Sequence, residues 1–88
     1  MHAVVVRVTF NDREEAHRAL EAQVIPQSSG ADGFIAGYWI AEPGDTGTAV
    51  LALESEDAAQ SFANEIPRVP GGGVTPTEVT VGEVIGHA

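Results

Sequence analysis

The chain has 88 residues, of which 13 are acidic and 4 are basic, so its formal net charge is −9, and it contains no cysteine. This length fits a single domain over residues 1–88. The charge opposes binding to nucleic acid and to anionic membrane surfaces, and the lack of cysteine excludes disulfides and thiolate-bound metals. No apolar run is long enough to span a membrane, and the first residues do not resemble a signal peptide, so we expect a cytoplasmic protein.

The first half of the chain predicts a strand, a helix and a second strand. Residues 3–10 are rich in β-branched side chains and predict the first strand. Asn11 is the predicted cap of a helix over about residues 12–25, which Pro26 ends or kinks. Residues 34–42 contain three aromatic side chains and predict the second strand.

The second half repeats this pattern. Residues 47–54 predict a third strand, which forms a hairpin with the second. Ser55 is the predicted cap of a second helix, which Pro67 stops. Residues 71–73 are three glycines and predict a flexible connection to a last strand over residues 77–86.

The order βαββαβ is the split-βαβ, ferredoxin-like arrangement. It predicts an α+β fold with a four-stranded antiparallel sheet in the order 4-1-3-2 and both helices on one face. Val4, Val6, Val8 and Phe10 are expected to face the helices, as are Val79, Val81 and Ile85 of the last strand. The opposite face is expected to contain Ala3, Val5, Arg7, Thr9, Val50, Ala52 and Val84. Because this face is too apolar to remain in water, we expect a second copy to cover it and form a homodimer.

Two segments resemble the dimeric α/β-barrel superfamily, whose best-known members are the antibiotic biosynthesis monooxygenase domains. Residues 32–39 (Asp-Gly-Phe-Ile-Ala-Gly-Tyr-Trp) are similar to the Pro-Gly-Phe-x-Gly pattern with which the family begins its second strand. Residues 51–59 (Leu-Ala-Leu-Glu-Ser-Glu-Asp-Ala-Ala) are similar to its Trp-Glu-Ser-x-x-Ala passage from the third strand to the second helix. The resemblance implies a dimeric α/β-barrel and a monooxygenase-like activity.

The same resemblance also bears on cofactors. The family's enzymes carry a tryptophan where this chain has Leu53, and its haem-degrading members need a histidine that residues 55–76 do not supply. We therefore expect no haem and no other cofactor.

Five residues are candidates for binding a small organic ligand, and they are Arg7, Tyr38, Trp39, His2 and His87. Tyr38 and Trp39 are neighbours on a strand, so one should face the helices and the other the open side. Arg7 suits a ligand carboxylate, or an acidic partner in a dimer interface. His2 and His87 are expected to lie close together, because the first and fourth strands are predicted antiparallel neighbours; a metal site there is the less favoured interpretation.

Three functions stay open at this point. The first is a dimer that binds a small, partly aromatic ligand, and the second is a structural or regulatory association module without catalysis. The third is a cofactor-independent oxygenase acting on a phenolic substrate, for which the sequence identifies no catalytic base. No catalytic residue is predicted.

Overall fold

The computed structural model describes all residues from Met1 to Ala88 and shows an α+β fold with one antiparallel sheet. The strands are β1 (His2–Phe10), β2 (Phe34–Ala41), β3 (Thr46–Leu53) and β4 (Val74–Glu83). They pair in the order β2-β3-β1-β4, which reads 4-1-3-2 from the opposite edge. The arrangement is consistent with a ferredoxin-like fold.

The first helical segment consists of α1 (Arg13–Ala19), a π-helical turn (Leu20–Val24) and α2 (Ile25–Ser29). The prediction that Asn11 caps it is wrong, because the Asp12 carboxylate accepts the N–H of Glu15 at 3.0 Å. The side-chain amide of Asn11 instead donates to the Thr75 hydroxyl at 2.8 Å. The side chain of Asn11 therefore joins the start of the helix to β4.

Pro26 does not end this segment, which continues to Ser29. Proline has no N–H, and its ring crowds the carbonyl four residues earlier, so a regular α-helix cannot pass through it undisturbed. The helix accommodates Pro26 by widening the preceding turn, in which the N–H of Ile25 donates to the carbonyl of Leu20. The predicted end near residue 25 is therefore wrong, whereas a distortion at Pro26 is present.

The second half follows the sequence more closely. Helix α3 (Glu56–Glu65) begins after Ser55, whose hydroxyl accepts the N–H of Ala58 at 3.1 Å, so the predicted cap is confirmed. Strand β4 starts and ends three residues earlier than the predicted 77–86. Pro76 is compatible with β4 because this is an edge strand, where a missing N–H leaves no neighbour unpaired.

The core lies between the sheet and α3. Val4, Leu51 and Leu53 are almost completely buried, and Ala59 and Ala63 of α3 meet them. Val79 and Val81 pack against this cluster as predicted, but Ile85 lies beyond β4 and is 94% exposed, so its predicted place against the helices is wrong. Leu53 is a core residue.

Candidate functional site

The face of the sheet opposite the helices, called the open face below, is the candidate functional surface. The cross-strand register groups its residues into aligned rows. They are Ala36, Tyr38 and Ile40 of β2; Thr46, Thr48, Val50 and Ala52 of β3; Ala3, Val5, Arg7 and Thr9 of β1; and Thr75, Glu78, Thr80 and Gly82 of β4. Val84, also predicted here, follows β4 and donates its N–H to the Met1 carbonyl at 3.0 Å.

The open face is apolar at its centre and along the β2 edge. Val5 and Val50 are register partners in the two middle strands and are only half-buried. Beside them on the edge strand, the residues Tyr38 and Ile40 are 66% and 49% exposed. Large apolar groups that remain exposed side by side are typical of a binding surface.

Arg7 and Glu78 are the two charged strand residues of the open face. They lie directly opposite each other in the register between β1 and β4, yet neither takes part in an ion pair. Thr48 lies on the other side of Arg7, and its hydroxyl donates to the Glu42 carboxylate at 2.8 Å. The strand residues of this face therefore carry one positive and one negative charge, both exposed.

Tyr38 and Trp39 point to opposite faces, as predicted. Tyr38 lies on the open face, whereas Trp39 packs against the core. The Trp39 ring covers Gly37, where an added Cβ would lie 2.8 Å from Trp39 Cη2. The close packing of Trp39 over Gly37 makes this ring a structural element of the helix-facing layer.

His2 and His87 do not form a register pair. His2 lies at the start of β1 between Leu53 and Glu83, and its Nε2 is 3.7 Å from the Glu56 carboxylate. Its Nδ1 is buried and makes no hydrogen bond. His87 is exposed in the segment that follows β4, because this strand ends at Glu83. The spatial proximity of the two histidines stays a prediction, and no cluster of three or more histidine, aspartate or glutamate side chains is arranged to hold a metal.

Two shallow depressions on the surface have volumes of about 260 and 240 Å³. The first lies beside Arg68 and β4, and the second lies between the end of α2 and α3. None of the five candidate ligand-binding residues lines either depression. Neither depression is therefore the ligand site that the sequence predicts.

Glu78 of the open face and Arg13, which contacts the hairpin between β2 and β3, are missing from the sequence-based candidates. Glu78 alternates with Val79 and Val81, a period-two signal that places it on the open face beside Arg7. Arg13 is the first residue of α1. Its guanidinium lies 4.6 Å from the centroid of the Phe10 ring and donates to the carbonyls of Glu42 and Gly44.

No protein-family model matches the chain, and no curated protein is significantly similar to it. None of the helices combines the length and the apolar character needed to cross a membrane. The geometry of the open face is therefore the main basis for a functional proposal.

Proposed function

We propose that the protein functions as a cytoplasmic homodimer in which two open faces cover each other, as the resemblance to dimeric α/β-barrels implies. The exposed surface of the single chain carries this proposal. A folded monomer of 9.1 kDa is expected to expose roughly 4,900 Å². This chain exposes 5631 Å². The excess, roughly 700 Å², is close to the area that one partner contributes to a standard interface.

The excess surface does not come from an expanded chain. The radius of gyration is 12.5 Å, and a compact chain of this length is expected to have about 12 Å. Only 9 of the 88 residues are buried, so the sheet has a packed layer on one side alone. Residues 85–88 are exposed, as are Arg7 and Tyr38 of the open face.

The open face is large enough for a specific interface. Four strands about 4.8 Å apart and about 27 Å long cover roughly 500 Å². Two such faces together provide about 1,000 Å², which is the lower limit for a specific association. Because a two-fold interface uses the same patch on both copies, no second surface is required.

The oligomeric state tests the proposal directly. Sedimentation equilibrium between about 1 and 100 µM, the range of ordinary association constants, is expected to show twice the chain mass of 9.1 kDa. Val5→Lys places a charge at the centre of the open face and is expected to yield a folded monomer. Val24→Lys, at an exposed position of the π-helical turn, is the matched control that leaves the dimer intact. A wild-type chain that stays a folded monomer throughout contradicts the proposal.

Binding of a small aromatic ligand at the rim of the interface is the second candidate, and the exposure of Tyr38 favours it. Tyr38 lies on an edge strand and shares the open face with Arg7, so its ring remains accessible beside a paired sheet. A thermal-shift screen of aromatic carboxylates tests this function. A ligand present at 100 times its dissociation constant adds about 2.7 kcal/mol of stability. The shift is expected to persist in Tyr38→Phe and to vanish in Tyr38→Ala; equal shifts in both variants exclude this site.

A further inference from the structure

We infer that Arg7 of each chain pairs with Glu78 of the other chain across the two open faces. The inference rests on the proposed dimer and assigns its recognition contact. It starts from the distribution of charge over the molecule. The chain has a net charge of −9, whereas the strand residues of the open face contribute one cation and one anion, which cancel.

This near-balance of charge favours a second copy as the occupant of the face. Two chains of charge −9 repel each other over most of their surfaces. On the open face this repulsion is weaker, because the charges of Arg7 and Glu78 cancel and Glu42, beside Thr48, adds a single anion. The opposite charges of Arg7 and Glu78 allow the face to complement itself. A basic partner would find only one anion in excess on this side, that of Glu42, and an apolar partner would offer neither Arg7 nor Glu78 a group of opposite charge.

Covering the open face removes water from Arg7 and therefore demands an anion nearby. Two carboxylates are available on this side of the sheet. That of Glu42 already accepts a hydrogen bond from Thr48, whereas that of Glu78 is exposed and unpaired. Arg7 and Glu78 of one chain are register partners without an ion pair between them, so both remain free to contact another chain.

Two-fold symmetry makes the contact reciprocal. If Arg7 of one chain contacts Glu78 of its partner, the partner's Arg7 contacts Glu78 of the first chain. Strand side chains stand roughly perpendicular to the sheet, which directs both groups towards the opposing face.

Charge reversal tests the energetic part of this inference. Arg7→Glu and Glu78→Arg each create two like-charged contacts in the dimer, so each is expected to raise the dimer dissociation constant about 100-fold. The double variant Arg7→Glu/Glu78→Arg is expected to return to within about threefold of wild type, because both contacts are again opposite in sign. Arg18→Glu and Glu14→Arg, on the exposed surface of α1, are controls that change the net charge equally.

Cross-linking tests whether the contact joins two chains. The wild-type chain has no cysteine, so the single variants Arg7→Cys and Glu78→Cys each introduce one thiol. Equimolar mixing above the dissociation constant, followed by a short bis-maleimide, is expected to link position 7 of one chain to position 78 of the other. Mass spectrometry of the digested product identifies the linked peptides.

The outcomes separate this inference from the proposed dimer. A wild-type chain that stays monomeric contradicts both the proposed dimer and the pairing of Arg7 with Glu78. A wild-type dimer whose Arg7→Glu variant behaves like Arg18→Glu overturns the inter-chain pair alone. Rescue in the double variant without a cross-link between positions 7 and 78 assigns the ion pair to a single chain and also overturns the inference.

Discussion

Gly73 connects two parts of the structure through its backbone alone. Its φ of +81° lies in the left-handed region, and its carbonyl accepts the N–H groups of Asn11 at 2.8 Å and Asp12 at 3.1 Å. An added Cβ would lie 2.5 Å from the Asp12 carbonyl oxygen and 2.6 Å from the Ala16 nitrogen. Because both are backbone atoms, no side-chain rotation can relieve the clash.

Gly73→Ala is therefore expected to lower the free energy of unfolding by about 2–4 kcal/mol, through strain and overpacking together. Two controls separate these causes in urea unfolding. Gly44→Ala has the same φ of +81° with no atom near the new methyl group, and is expected to cost about 1 kcal/mol. Gly71→Ala meets no neighbour and has no positive φ, so its stability should change by less than about 1 kcal/mol. Equal losses in Gly73→Ala and Gly44→Ala would show that steric contact is unimportant.

Arg13 connects the start of α1 to the hairpin between β2 and β3. Since its guanidinium donates to two carbonyls of the hairpin, Arg13→Ala is expected to lower the free energy of unfolding by about 1 kcal/mol. Arg13→Lys should recover only part of this loss, because both bonds come from one nitrogen, Nη2, and the shorter lysine side chain reaches less far towards the two carbonyls. Arg18→Ala, one turn further along the helix and without a hydrogen-bond partner, serves as the control and should stay within about 0.5 kcal/mol of wild type. Similar losses in Arg13→Ala and Arg18→Ala would contradict a specific link.

The three helices are held in different ways. Helix α3 places Ala59 and Ala63 against the sheet, and these small side chains let its backbone approach closely. Helices α1 and α2 together bury one side chain, that of Ser28, and the π-helical turn lies between them. The core therefore depends on α3, and the position of α3 depends on where it begins.

Ser55→Ala removes the side chain that accepts the N–H of Ala58 at the start of α3. Its expected effect is a loss of about 1 kcal/mol in the free energy of unfolding, the usual contribution of a helix cap. Ser61→Ala makes the same chemical change in the exposed interior of α3 and is expected to be neutral or stabilising by about 0.5 kcal/mol. Chemical denaturation of both variants gives the comparison, and a Ser61→Ala loss as large as that of Ser55→Ala would rule out the cap as the cause.

For the whole molecule, the sequence predicts the sheet and its faces well, because alternation along a strand directly reflects which side is buried. Val4 and Val6 were assigned to the core and Tyr38 and Trp39 to opposite faces by this rule alone. The predictions fail where tertiary contacts decide the boundary. The end of β4 and the passage of the helix through Pro26 depend on neighbours that no local pattern reveals. The opposition of Arg7 and Glu78 also depends on the register between distant strands, which is why Glu78 was missing from the candidates.

The salt dependence of the proposed dimer follows from the charge of the whole chain. Each copy carries a net charge of −9, so association brings together two strongly negative bodies whose centres are on the order of 20 Å apart. Salt screens such distant charges, with a screening length of about 14 Å at 0.05 M and about 4 Å at 0.5 M. The proposed contacts between Arg7 and Glu78 inside the interface would be screened much less.

Raising the salt concentration from about 0.05 to 0.5 M is therefore expected to lower the dimer dissociation constant about tenfold or more, because repulsion is lost while the interface is retained. Sedimentation equilibrium across this range measures the change. Glu14→Gln removes one negative charge from the exposed surface of α1, far from the open face. Its dissociation constant should be lower than that of wild type at low salt and equal to it at high salt. A dissociation constant that rises with salt would show instead that attraction between the charged groups dominates the association.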